Sequence, residues 1–328
     1  MGIPGLEALH RWISIPLCFT YIMTLLGNSM VLLAVKLDKS LREPKYYFIS
    51  ILAVIDLIFS TAVVPKILDV FWLDSREIGF EACFMQKFFI HMFTAVESEV
   101  LWAMSFDWHI AICDPLRYTT ILTSSRTIQI GLPSLARGAG VMTPLMCLLI
   151  SFPYCKTRVI PHSYCEQIAM VELACADPSV SDLYSLITAT LLVGTNSVFI
   201  TFSYGVILRS VMRLPSQEAQ LKALRTCGCH VFIILLFYIG GLLSMYLQMF
   251  SFGLETHIQV LMADLYLVVP PMLNPLIYGI KMKQIQKGIF RLLGQLVGLS
   301  VSGADEDRSD AVRGMQHQKI SYPILEQV

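Results

Sequence analysis

Long apolar runs, broken by short polar stretches, dominate this chain. A helix that crosses a membrane needs about 20 mostly apolar residues. Seven runs meet that length, at roughly 13–36, 46–72, 84–108, 128–152, 183–209, 226–250 and 259–280. Runs four and seven read as the weakest. The fourth carries Pro133, Arg137, Gly138, Gly140 and Pro144; the seventh is broken by Pro270, Pro271 and Pro275. Membrane helices tolerate such breakers where neighbouring helices satisfy the freed backbone groups, so both belong inside a bundle. Residues 281–295 then place Ile285, Ile289, Phe290 and Leu293 on one helical face, opposite lysines and Arg291. That pattern predicts a short amphipathic helix lying on the membrane surface. Residues 296–328 are polar and read as a disordered tail. The expected fold is an all-α membrane protein. A seven-helix domain over 1–295 is expected to contact membrane lipid.

Composition agrees with this reading. Of 328 residues, 55% are hydrophobic and only 15% charged, whereas soluble domains carry about 25% charged residues. A formal net charge of zero gives no reason to expect a nucleic-acid partner. "MGIPGLEALHRW" lacks a basic segment before an apolar core, so the first run is expected to act as its own insertion signal. Basic residues cluster on one side, at Lys36, Lys39, Arg42, Lys45, Arg117, Arg126, Arg209, Arg213, Lys222, Arg225, Lys281, Lys283, Lys287 and Arg291. The opposite loops hold Arg11, Arg76, Lys156 and Arg158. The positive-inside rule places the N-terminus outside and the C-terminus in the cytoplasm of a multi-pass membrane protein. None of the three asparagines begins an Asn-x-Ser/Thr glycosylation site.

Of the nine cysteines, Cys18, Cys113, Cys147, Cys227 and Cys229 fall in the runs or inside; Cys83, Cys155, Cys165 and Cys175 fall outside. Four cysteines on the oxidising side suggest two disulfides, with three pairings open. Bridges of that kind hold the loop from Pro153 to Asp182 as a lid.

Several motifs carry polar groups to membrane depth, where they are costly and usually functional. "LLGNSMVLL" holds Asn28, "LAVIDLIFS" holds Asp56, "FTAVESEVLWAMSFD" holds Glu97 and Glu99, and "PPMLNPLIYG" holds Asn274 and Tyr278. Together they resemble the rhodopsin-like G-protein-coupled receptors. "LREPKYYFISILAVIDL", "AICDPLRY", "SYGVIL", "KALRTCGCH" and "PPMLNPLIY" narrow the resemblance to odorant receptors over nearly all of residues 2–295. The opening "GIPGLEALHRWISIPLC" and the loop ending "LACAD" look like the fish-like class I branch. The resemblance implies olfactory sensory transduction, a small-molecule odorant ligand, coupling to a stimulatory heterotrimeric G protein that raises cyclic AMP, and disulfides Cys83–Cys165 and Cys155–Cys175. It implies no cofactor and no structural or catalytic metal.

Helical spacing places His91 at pocket depth with Ile90 and Thr94 on its face. Span six offers Tyr238, Leu242, Met245 and, nearer the mouth, Met249. The pocket is expected among spans three, five, six and seven. Many class I relatives read His-Arg-Phe at the outer end of span six; this chain reads Gln248-Met249-Phe250. A methionine cannot pair with a carboxylate as arginine does, which predicts a neutral ligand. Asp56, Glu97 and Asn274 read as a sodium or proton site, since two buried acids cannot both stay ionised without a cation. Glu99, two residues on from Glu97, points elsewhere, toward another helix or lipid. Arg137 calls for a partner or for snorkelling. Gly240 stands where the branch commonly has a proline and removes a kink.

Asp107 and His109 do not form a catalytic pair, because residues two apart on a helix do not face each other. With no HExxH, P-loop or arranged nucleophile, an enzyme is excluded; without repeats, a transporter is disfavoured. The G-protein contact is expected from Asp107, Trp108, His109, Pro115, Tyr204 and Tyr278. Here the family's Asp-Arg-Tyr reads Asp107-Trp108-His109. An indole has one donor and no charge. The alternative reading is a receptor-like relic or a weakly coupling variant.

Overall fold

The computed structural model describes residues 1–38, 41–114, 117–118, 124–155, 159–250 and 253–296. Seven long helices follow in order: α1 His10–Leu37, α2 Pro44–Leu73, α3 Phe80–Cys113, α4 Ser124–Ile150, α5 Ser179–Val211, α6 Gln217–Phe250 and α7 Thr256–Lys281. A short α8, Lys283–Leu296, closes the described part of the chain. The tail from 297 onward lies outside the described residues.

Local chemistry sets these limits. Proline at the first position of α2 needs no backbone donor there. Asp74 ends α2 in the left-handed region, at φ 54°. Pro133, Pro144, Pro270, Pro271 and Pro275 all lie inside helices, as the membrane reading expects.

Six of the helices are long and apolar enough to cross a membrane; α3 does not meet those requirements. This corrects the expectation that spans four and seven are the weakest. α3 carries Lys87, Glu97, Glu99 and Asp107, all buried. The helix is central, packing along α2, α4 and α5, so its polar residues face protein rather than lipid. α1 and α5 instead expose large apolar side chains such as Phe19, Leu26, Phe199 and Phe202, a surface suited to acyl chains.

Close helix approach relies on glycines at two contacts. A Cβ on Gly27 would stand 2.8 Å from the Pro275 ring of α7. One on Gly241 would stand 2.9 Å from the Tyr266 hydroxyl, and one on the neighbouring Gly240 would press on the same ring at 3.1 Å. The glycine pair in α6 therefore makes room for an aromatic side chain of α7.

The amphipathic pattern of α8 resolves into two directions. Ile285 is fully buried against the bundle, whereas Phe290 is 68% exposed. Arg291 donates to Asp38 at 3.0 Å and fastens α8 to the inner end of α1.

Candidate functional site

The loop between α4 and α5 is built as a lid. Cys83 at the top of α3 is bonded to Cys165, and Cys155 to Cys175, with Cα separations of 5.5 and 5.9 Å. Tyr154 and Ala174 pair as an isolated antiparallel bridge. Gln86 accepts from the Cys165 backbone N–H at 3.0 Å and donates to Ala62 O at 3.0 Å. Ser163 donates to Asp264 of α7 at 2.5 Å. Glu166 caps the short loop helix Gln167–Val171, its Oε2 accepting from the N–H groups of Ile168 and Ala169. Burial raises the Glu166 carboxyl above the ordinary range, against the pull of those N–H groups and of nearby Lys87. His162 is buried with its Nε2 unpartnered, and burial pushes its pKa down to about 3.

Beneath this lid lies a cavity of about 410 Å³, within the range of small-molecule sites. Ile90, His91, Thr94, Tyr238, Leu242 and Met245 all line it. The side chain of Met249 lies outside the described residues. The wall also takes residues that sequence reasoning did not name. Glu166, Gln167 and Ile168 come from the loop; Asp182, Ser185 and Thr188 come from α5; Met142 and Leu145 come from α4. The run "EQI" directly after Cys165 was the available signal, because a bridge to α3 must bring it over the bundle.

At mid-depth, Asn274 donates to both oxygens of Asp56, at 3.0 and 3.3 Å. Asn28 instead donates to Thr24 O and Pro271 O, each at 3.0 Å. Glu97 Oε1 and Asn274 Oδ1 are buried without hydrogen-bond partners. Oxygen donors of this kind suit a monovalent cation or a shared proton. Among the described residues no group of three His, Cys, Asp or Glu side chains is placed to hold a metal ion. Ser98 belongs to another network, with the Tyr238 hydroxyl at 2.9 Å and Asn196 Nδ2 at 2.9 Å.

Glu99 does not face lipid. It is buried and paired with Arg137 of α4, at 2.6 Å from Nε and 2.5 Å from an Nη. One pair thus accounts for both the acid and the arginine that looked costly in the sequence.

At the end of α3 away from the disulfides, Asp107 accepts from the Tyr118 hydroxyl at 3.0 Å. Trp108 is 5% exposed and belongs to the main apolar core. His109 stacks against Phe106, with rings 6.4 Å apart and nearly parallel, and its Nδ1 is unpartnered. Tyr204 contacts His230 Nδ1. The Tyr278 hydroxyl lies 3.9 Å from Met104 Sδ. Pro115 lies outside the described residues.

Comparison with known proteins points to one family. The olfactory receptor family model matches residues 17–296. The chain is 46% identical to human olfactory receptor 52B2 over 88% of its own length and 89% of that relative. It is 45% identical to human olfactory receptor 52J3, covering 88% and 93%, and 46% identical to human olfactory receptor 52K2, covering 88% and 92%. Olfactory receptors are receptors of the multi-pass plasma-membrane class and not enzymes. With a helical bundle, a disulfide-held lid and these relatives, the chain belongs to the olfactory receptor family.

Proposed function

We propose that this receptor binds a small, neutral, volatile odorant in the cavity between α3, α5 and α6. Binding rearranges the inner ends of the helices, engages a stimulatory heterotrimeric G protein and raises cyclic AMP. The N-terminus faces outward and the C-terminus the cytoplasm. Residues 1–295 form the receptor domain, and the remainder forms a cytoplasmic tail. The observation that carries this reading is the 410 Å³ cavity under a loop held by two disulfides. Among the described residues no lysine or arginine lines it, which favours neutral ligands over carboxylates. Asp56, Glu97 and Asn274 serve as a sodium or proton site that responds to helix movement.

A second reading rests on Trp108. Its indole is packed into the core and offers no cation to a G protein. In this reading ligand binding is intact and coupling is weak. A cyclic-AMP reporter cell with surface staining separates the two. The chain carrying Trp108→Arg with His109→Tyr should respond to an odorant panel several-fold more strongly than the unaltered chain. Equal responses at equal surface levels would remove the weak-coupling reading. In the same cells, replacing sodium by choline should alter the response, and Glu97→Gln should abolish that dependence; if it does not, no sodium acts there.

A further inference from the structure

The cavity is not sealed on every side. Of its described lining residues, those from α3, α4, α7 and the loop are buried or half-buried. Three are exposed: Thr190 of α5, and Leu242 and Tyr246 of α6, the last two at 38% and 42%. All three border one seam, between α5 and α6.

Packing explains the gap. α5 lies chiefly along α3, and α6 along α7; each meets the other far less. Toward the end away from the lid, Tyr204 of α5 reaches His230 of α6. Nearer the lid, Gly194 of α5 lines the cavity, and a Cβ added there would meet no neighbouring atom within 4 Å. Gly194 lies 15 residues after the start of α5, and Leu242 lies 8 residues before the end of α6. At 1.5 Å per residue these are depths of about 22 and 12 Å along the helices, inside a hydrocarbon core about 30 Å thick. The surface on either side is apolar. Ile187, Leu191 and Val198 of α5, with Ile239 and Leu243 of α6, are all exposed. The gap therefore faces acyl chains.

The lid end offers an apolar molecule less. Tyr164, Glu166 and Gln167 roof the cavity, and none is more than 7% exposed. The N-terminal segment is fastened to the same loop: the Gly2 N–H donates to His162 O at 3.0 Å, and Ile3 is fully buried. Where the loop joins α5, the wall presents the half-buried carboxyl of Asp182. An apolar chain gains nothing by passing such a group and displacing its water.

We propose that apolar ligands enter and leave the cavity from the bilayer, through the gap between α5 and α6, with Thr190 and Gly194 as the positions that keep it open. This rests on the cavity being the odorant site. Apolar molecules concentrate in lipid before they reach the receptor, so a lateral passage supplies the cavity from the richer phase. A residue at the gap sets the rate of exchange and not the affinity, because a passage obstructed for entry is obstructed equally for exit.

The test follows arrival in the cavity rather than signalling, so weak coupling cannot obscure it. The full chain in lipid nanodiscs is mixed with an octanol derivative carrying a photoreactive diazirine and is irradiated by flash at successive times. Mass spectrometry reads the label on α3 at His91 and Thr94, which line the cavity on the side away from the gap. Gly194→Phe should slow this labelling several-fold and leave its final extent unchanged. Asp182→Phe, at the lid end, should leave the rate unchanged. Thr190→Trp carries the test if Gly194→Phe does not fold, since Thr190 is exposed. An unchanged rate in the gap variants overturns the lateral passage, as does slower labelling in Asp182→Phe. A lower final extent at an unchanged rate makes the gap positions part of the wall alone and overturns it equally. Absence of label on α3 in the unaltered chain at every time overturns the cavity reading itself.

Discussion

The two ends of α3 serve opposite purposes. At the outer end, Ile90, His91 and Thr94 face a void of about 410 Å³. At the inner end, Trp108 fills its space and is 5% exposed. A void gives its lining little packing energy, so the outer end must be held open by other means. Disulfides, the Gln86 clamp, the Ser163–Asp264 bond and the Glu166 cap do this. The inner end depends on the packing of its own side chains. Under the proposed function, ligand recognition would therefore change by substitution in the wall at small structural cost, whereas change around Trp108 would alter stability and coupling together.

The largest expected effect tests that contrast directly. Trp108→Ala should lower stability by about 3–5 kcal/mol, the usual cost of truncating a buried large aromatic. Met245→Ala, in the cavity wall, should cost no more than about 1 kcal/mol. Thermal unfolding of both variants in detergent measures the difference; similar losses would break the comparison. Between the two ends, Glu99→Leu strands the Arg137 guanidinium at membrane depth and should cost about 2.5–3.5 kcal/mol. Adding Arg137→Leu should recover most of that loss. If the double variant is as unstable as the single, the two residues are not a coupled pair.

Much of the framework was legible in the chain. Seven hydrophobic runs mark seven helices to within a few residues at most ends, because membrane length and hydropathy are one-dimensional constraints. α6 is the exception. Its amphipathic first turns from Gln217 extend beyond the apolar run that begins near 226. α3 falls short of the apolar requirement because of acids and a lysine that the sequence shows; what the sequence cannot show is that Lys87, Glu97, Glu99 and Asp107 are buried inside the bundle. The Glu99–Arg137 pair joins residues 38 apart in the chain, and only the packing of α4 on α3 brings them together. The loop wall of the cavity depends on a cross-link between Cys83 and Cys165. The cysteines alone left three pairings open, and family resemblance supplied the one found. Gly240 reads as the loss of a kink, but its contacts and those of Gly241 give a different reason, the ring of Tyr266.

The smallest effect concerns the lid and has a definite sign. His162 is buried, its ring edge-on to Tyr164 at 4.4 Å, and burial lowers its pKa to about 3. An unfolded histidine titrates near 6.5. Between these values the unfolded loop binds a proton that the folded loop excludes, so stability falls as pH drops. It is fully present above about 6.5 and lost progressively toward 3, and the loss at pH 5 should be about 2 kcal/mol. Glu166 acts in the opposite sense, since its raised carboxyl favours the protonated folded form, and its window lies from the ordinary carboxylate range upward. Hydrogen exchange separates the two ends of the molecule. Lowering pH from 7 to 5 should loosen the loop around Gln167–Val171 while amides near Trp108 stay protected, and His162→Phe should flatten the loop's response. If both ends loosen in parallel, or His162→Phe changes nothing, the lid is not an independently held element.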